Sequence, residues 1–108
     1  MIAAARDPNP VIFMEPKILY RAAVEEVPAT DYTLPIGKAE VLKEGKDLTV
    51  IGYGSQVYVL ENAIKYLEKE MPGLSVELID LRSILPWDVE TVVNVFPFPY
   101  FYSQISPF

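Results

Sequence analysis

The stretch from Leu48 to Leu81 limits the possible folds more than any other part of the chain. Leu48-Thr49-Val50-Ile51 is continuous, β-branched and apolar, the composition of a buried strand. Gly52-Tyr53-Gly54 permits a sharp exit, and Ser55 is a candidate helix N-cap. Val57, Leu60, Ile64, Leu67 and Met71 then recur at alternating spacings of three and four, one apolar stripe on a helix. Glu61 and Lys65 lie four apart in the favourable order on another side. Pro72-Gly73 stops the helix. Ser75 to Leu81 reads as a second strand, with Val76, Leu78 and Asp80 on one face and Glu77, Ile79 and Leu81 on the other. Strand, helix and strand in this order make a βαβ unit. The expected class is therefore α/β, a partial parallel sheet with a right-handed crossover.

The flanks are less regular. Lys38 to Lys43 suits a short edge strand, and Glu44-Gly45-Lys46-Asp47 a turn. Pro86 or Asp88 can open a second helix running through Val93. Near the start, residues 6–10 are turn material, and Val11 to Met14 form a short apolar run that reads as a buried strand, closed by Glu15-Pro16. Residues 17–36 have no period, are punctuated by Pro28 and Pro35, and read as a linker that packs Tyr20 and Tyr32 against a neighbour. Residues 94–108 hold three prolines, six aromatics and no charge, again without period.

Composition excludes several kinds of chemistry. The 108 residues suffice for one small domain. There is no Cys and no His. A thiolate nucleophile, a zinc–thiolate site and a self-contained Ser-His-Asp site cannot be built. The net charge of -6 and the lack of a basic run oppose binding to a phosphate backbone, so no nucleic-acid partner is expected. No apolar stretch is long enough to span a bilayer; the longest, Val92 to Tyr102, is interrupted by Asn94, Pro97 and Pro99. The first residues have neither the basic start and apolar core of a secretory signal nor the Arg- and Ser-rich character of a transit peptide.

Four local patterns could carry function. Gly52 to Gln56 follows a strand and opens a helix, where free N–H groups attract phosphate. The third glycine of the dinucleotide fingerprint is missing, since Val57 stands there, so a tight βα turn is the favoured reading. Glu25-Glu26 is a carboxylate pair, but sequence neighbours rarely converge, and a solvated or inter-subunit ion pair is favoured. Asp80-Leu81-Arg82 closes a parallel strand, where α/β proteins bind ligands; a local Asp–Arg pair holding the loop is favoured over a ligand site. Asp7 and Asn9 offer oxygens to a hard cation, or simply form an Asx-turn.

Two blocks, EPKILYRAAVEEVP (Glu15 to Pro28) and VELIDLRSILPWDVETV (Val76 to Val92), resemble the β subunit of thiamine-diphosphate-dependent branched-chain 2-oxoacid dehydrogenases. The segment between them keeps that family's strand-turn-strand-helix layout, and the likeness covers about residues 4 to 93. The pyruvate dehydrogenase β subunit shares the architecture and is the runner-up. The resemblance implies a division into the end of a pyrimidine-binding domain (1–16), a linker (17–36) and part of a transketolase C-terminal-like domain (37–93). Residues 94–108 depart from the family and read as a divergent tail of non-family sequence. The family's cofactor-contacting glutamate, its aromatic cofactor contact and its active-site histidine are expected upstream of Met1. No catalytic or cofactor-binding residue is therefore expected here, and thiamine diphosphate with magnesium belongs to the parent enzyme. What the resemblance does carry over is part of a potassium site: Ala4 through its carbonyl, Asp7 and Asn9. It also implies a mitochondrial matrix setting and three partners: the α subunit, a second β subunit and the lipoyl acyltransferase core. Two readings of other classes stand beside it, a non-catalytic assembly module and an isolated nucleotide binder at Gly52 to Gln56.

Overall fold

A computed structural model describes residues 1–95 except Ala23 and Glu25, and nothing of the Ala22 side chain. Seven elements follow in order: α1 (Ile2–Arg6), α2 (Leu19–Ala22), β1 (Glu40–Lys43), β2 (Leu48–Gly52), α3 (Ser55–Glu70), β3 (Val76–Asp80) and α4 (Val89–Asn94). The strands form one sheet in the order β1-β3-β2. The pair β2–β3 is parallel, in register from Leu48 opposite Val76 to Gly52 opposite Asp80, with α3 as the crossover between them. This is the βαβ unit that the periodicities demand. The edge strand β1 pairs antiparallel with β3 and makes the sheet mixed. A bulge between Val41 and Lys43 bends it, a common device at sheet edges.

The core sits between α3 and one face of the sheet. Ile64, Val76 and Leu78 are buried together, and Val50, Val57, Leu60 and Leu74 pack on them. Each fully buried Val, Leu or Ile stabilises by about 1.5–3 kcal/mol over leaving it exposed. The expected stripe is thus the buried face of α3, except that Met71 stands beyond the last helical residue and stays exposed. Its N–H donates to the Leu67 carbonyl and closes the helix end. Lys43 on β1 pairs with Glu68 on α3.

β3 is buried on both faces. Ile79 is wholly enclosed, and Glu77 is 8% exposed, its carboxylate accepting from the Thr49 hydroxyl at 3.0 Å. The turn before β2 grips the start of β3. Lys46 and Asp47 donate to the Ser75 carbonyl, and the Ser75 N–H donates to the Asp47 carboxylate at 2.8 Å. Gly45 lies so close that a Cβ there would stand 2.2 Å from the backbone of Val76 and Glu77.

Several expectations are corrected. Val11 to Met14 form no strand and are exposed, because among the described residues no strand lies beside them to pair with. Tyr20 and Tyr32 are exposed rather than packed; Tyr20 instead donates to the Glu15 carboxylate. Ser55 is the first helical residue and not the cap. Gly54 occupies the cap position at φ 58°, a left-handed conformation that glycine adopts at little cost, and no side chain caps the end. Glu25 lies outside the described residues and Glu26 is exposed. The tail from Phe96 to Phe108 also lies outside them.

Candidate functional site

Ligands of parallel α/β sheets collect beyond the carboxyl ends of the strands. Here β2 leaves through Gly54 into α3 and β3 ends at Asp80. An open groove of about 440 Å³ lies there, lined by Gly54, Val57, Tyr58, Glu61 and Asp80 together with Leu19 and Val24. Burial pushes the Asp80 carboxyl up from its ordinary range, and the Arg82 N–H donating to it at 3.0 Å opposes that rise. The expected Asp80–Arg82 side-chain pair does not form. Arg82 turns into a left-handed backbone conformation (φ 54°), its N–H bonds Asp80, and its guanidinium goes to Glu40 on the edge strand. The loop is held, but by a different partner.

Two carboxylates, Glu61 nearly two turns into α3 and Asp80 at the end of β3, line the groove onto which the α3 N-terminus opens. They repel a phosphate at the place where the helix end would attract one. The Gln56 and Val57 N–H groups already donate to Tyr53 and Gly54 carbonyls at 3.3 Å. The absence of a side chain at Gly52 makes room for Leu60, whose tip a Cβ would approach to 2.6 Å. The tight turn accounts for Gly54, and packing against Leu60 accounts for Gly52.

At the chain start, Asp7 and Asn9 come together. The Asp7 Oδ1 accepts from both the backbone N–H and the side-chain amide of Asn9 at 2.9 Å, an Asx-turn. Ala4 lies in α1, a helix of five residues whose last carbonyls have no partner within it. Arg6 at its end pairs with Asp31 at 2.6 Å. Asp7 and Asn9 thus meet in the turn, and Ala4 stands in the helix before it. Among the described residues, no group of three or more His, Cys, Asp or Glu side chains converges on a metal position.

One cluster exceeds its sequence reading. Asp88 does cap α4, accepting from the Thr91 N–H at 3.2 Å and the Thr91 hydroxyl at 2.6 Å. It also reaches across the fold to the Ala39 N–H at 3.1 Å and to Lys38 at 3.5 Å, while Lys38 pairs with Glu90 at 3.1 Å. The Thr91 hydroxyl first, then the Ala39 and Thr91 N–H groups and the Lys38 charge, hold the Asp88 carboxyl down at about 2 against the opposing effect of its burial. The Lys38 ammonium is raised in turn, chiefly by its hydrogen bond to Glu90 and by the Asp88 charge. The spacing Asp88-x-x-Thr91 signals the cap; nothing local signals Ala39, 49 residues away.

A family model described as "Transketolase, C-terminal domain" matches residues 37–96, more than half of the chain. The chain belongs to the transketolase C-terminal domain family. Its α/β class and its βαβ unit agree with that membership. Over 87% of its length it is 58% identical to the mitochondrial 2-oxoisovalerate dehydrogenase subunit beta of Dictyostelium discoideum. Over 87% it is also 54% identical to the pyruvate dehydrogenase E1 component subunit beta of Acholeplasma laidlawii. It spans 25% and 28% of those two relatives. Among solved structures it resembles a split-gene transketolase described as an inactive beta4 tetramer, with 36% identity and a TM-score of 0.55 over 67% of this chain and 23% of that one. The resemblance drawn from Glu15–Pro28 and Val76–Val92 is thus shared by relatives that match most of the chain, while two substrate classes appear among them.

Proposed function

We propose that this transketolase C-terminal-domain chain is part of the β subunit of a branched-chain 2-oxoacid dehydrogenase. The observation that carries the reading is the 58% identity to a 2-oxoisovalerate dehydrogenase β subunit. The parent enzyme would decarboxylate 2-oxoacids such as 3-methyl-2-oxobutanoate on thiamine diphosphate and pass the acyl group to a lipoyl group. The cofactor supplies the carbanion chemistry. This chain supplies scaffold: residues 1–16 as the end of the pyrimidine-binding domain, 17–36 as linker, 37–93 as part of the second domain, and 94–108 as a divergent tail.

Ala4, Asp7 and Asn9 would offer oxygens to potassium, with the remaining ligands outside this chain. The partners are the α subunit, a second β subunit and the lipoyl acyltransferase core, and the setting is the mitochondrial matrix. The pyruvate enzyme is the second reading, favoured by the 54% identity to a pyruvate dehydrogenase β subunit. Kinetics of the complete β subunit assembled with its α subunit decide between them. The expected result is a higher kcat/KM for 3-methyl-2-oxobutanoate than for pyruvate; the reverse order assigns the chain to the pyruvate enzyme. With no histidine to act near neutral pH, the 108-residue chain by itself is expected to show no turnover with added cofactor.

A further inference from the structure

Two segments of this fold lack support of their own, and one carboxylate holds both. α4 has six residues and no buried side chain, too short to persist as an isolated helix. Residues 37–39 belong to no strand and lead from the linker into β1. Asp88, 3% exposed, receives the Ala39 N–H on one side and both Thr91 donors on the other. Lys38 lies against the same carboxylate and against Glu90. Beside this knot the Gly37 N–H donates to the Ser83 hydroxyl at 2.9 Å. None of these contacts involves α3 or the parallel strand pair.

We propose that Asp88 is a clamp that makes residues 37–39 and 88–92 one cooperative unit of local opening, separate from the β2-α3-β3 core. It fixes the point where the linker meets the domain. Removing its charge frees both segments together and turns a rigid junction into a hinge. The reason is geometric: the carboxylate that caps α4 is also the acceptor for Ala39 and Lys38, so opening of residues 88–92 removes their partner, and opening of residues 37–39 removes the bonds that tie the cap to the rest of the fold. A cap alone would serve only α4, and an anchor alone only residue 39. The proposal does not depend on which 2-oxoacid the parent enzyme takes.

Residue-resolved amide hydrogen exchange on the full chain tests this. In Asp88→Asn the amides of Ala39 and Thr91 are expected to lose protection together, by about tenfold. Leu78 and Ile79 in β3 should change by less than about twofold. Thr91→Val, which keeps the carboxylate, should give the same paired loss at smaller amplitude and decides the matter should Asp88→Asn precipitate. Loss at Ala39 or Thr91 alone, or an equal loss in β3, overturns the proposal.

Discussion

Gly45 and Gly52 differ in what they tolerate. At Gly45 the space for a Cβ is taken by the backbone of Val76 and Glu77, which cannot swing away. At Gly52 it is taken by the tip of the Leu60 side chain, which can. Gly45→Ala is therefore expected to destabilise by about 2 kcal/mol or more, and Gly52→Ala by less. Comparing amide protection at Glu77 in the two variants checks the order. Asp88 carries a pH dependence. Its carboxyl sits at about 2 in the fold against an ordinary 3.8, so folding favours the ionised form. The stability it contributes is fully present above about pH 4 and is lost as pH falls toward 2. Lys38 faces it and is itself paired with Glu90, and Lys38 stays charged throughout that window. Protection at Thr91 should fall across this range in the parent chain and vary less in Asp88→Asn. The cap was legible from Asp88-x-x-Thr91, but the bond to Ala39 was not, because hydrogen bonds across 49 residues leave no local pattern.

Among the elements, α3 and β3 were the most legible, α3 from the period of its buried stripe and β3 from a short run bounded by Pro72-Gly73 and the loop after Leu81. Val57, Leu60 and Ile64 meet Val50, Val76 and Leu78 as their spacing requires. Leu78 is the centre of that contact at 2% exposure. Leu78→Ala is expected to cost about 2–5 kcal/mol and to abolish protection in β2 and β3, read by the same exchange measurement. The antiparallel hand of β1 was not legible, because a four-residue edge strand has no pattern that distinguishes its direction. Val11 to Met14 misled for a related reason. An apolar run announces that it suits burial, not that a partner stands beside it. The pairing of Arg82 with Glu40 rather than Asp80 has the same origin: β1 brings Glu40 alongside the end of β3, and sequence distance hides it.

At the scale of the molecule, apolar surface exceeds what this core can cover. The buried apolar residues are Ile64, Val76, Leu78 and Ile79, while Ile12, Phe13, Met14, Val24 and Leu85 stand largely exposed among the described residues. β2 also presents an unpaired edge within the described sheet. The chain alone is expected to bind hydrophobic dyes and to self-associate as concentration rises. A sharp cooperative thermal transition without dye binding would contradict this. No helix among the described residues is long and apolar enough to cross a membrane.

The sequence by itself determined the βαβ unit, the buried stripe of α3 and the cap of α4. These rest on periods of two and 3.6 residues and on bonds within one turn, all written into neighbouring positions. Only the tertiary structure decided the antiparallel β1, the Arg82–Glu40 pair, the exposure of Val11 to Met14 and the bridge from Asp88 to Ala39. Each of those depends on which distant segment arrives alongside, a choice made by the packing of the whole sheet rather than by any local stretch of chain.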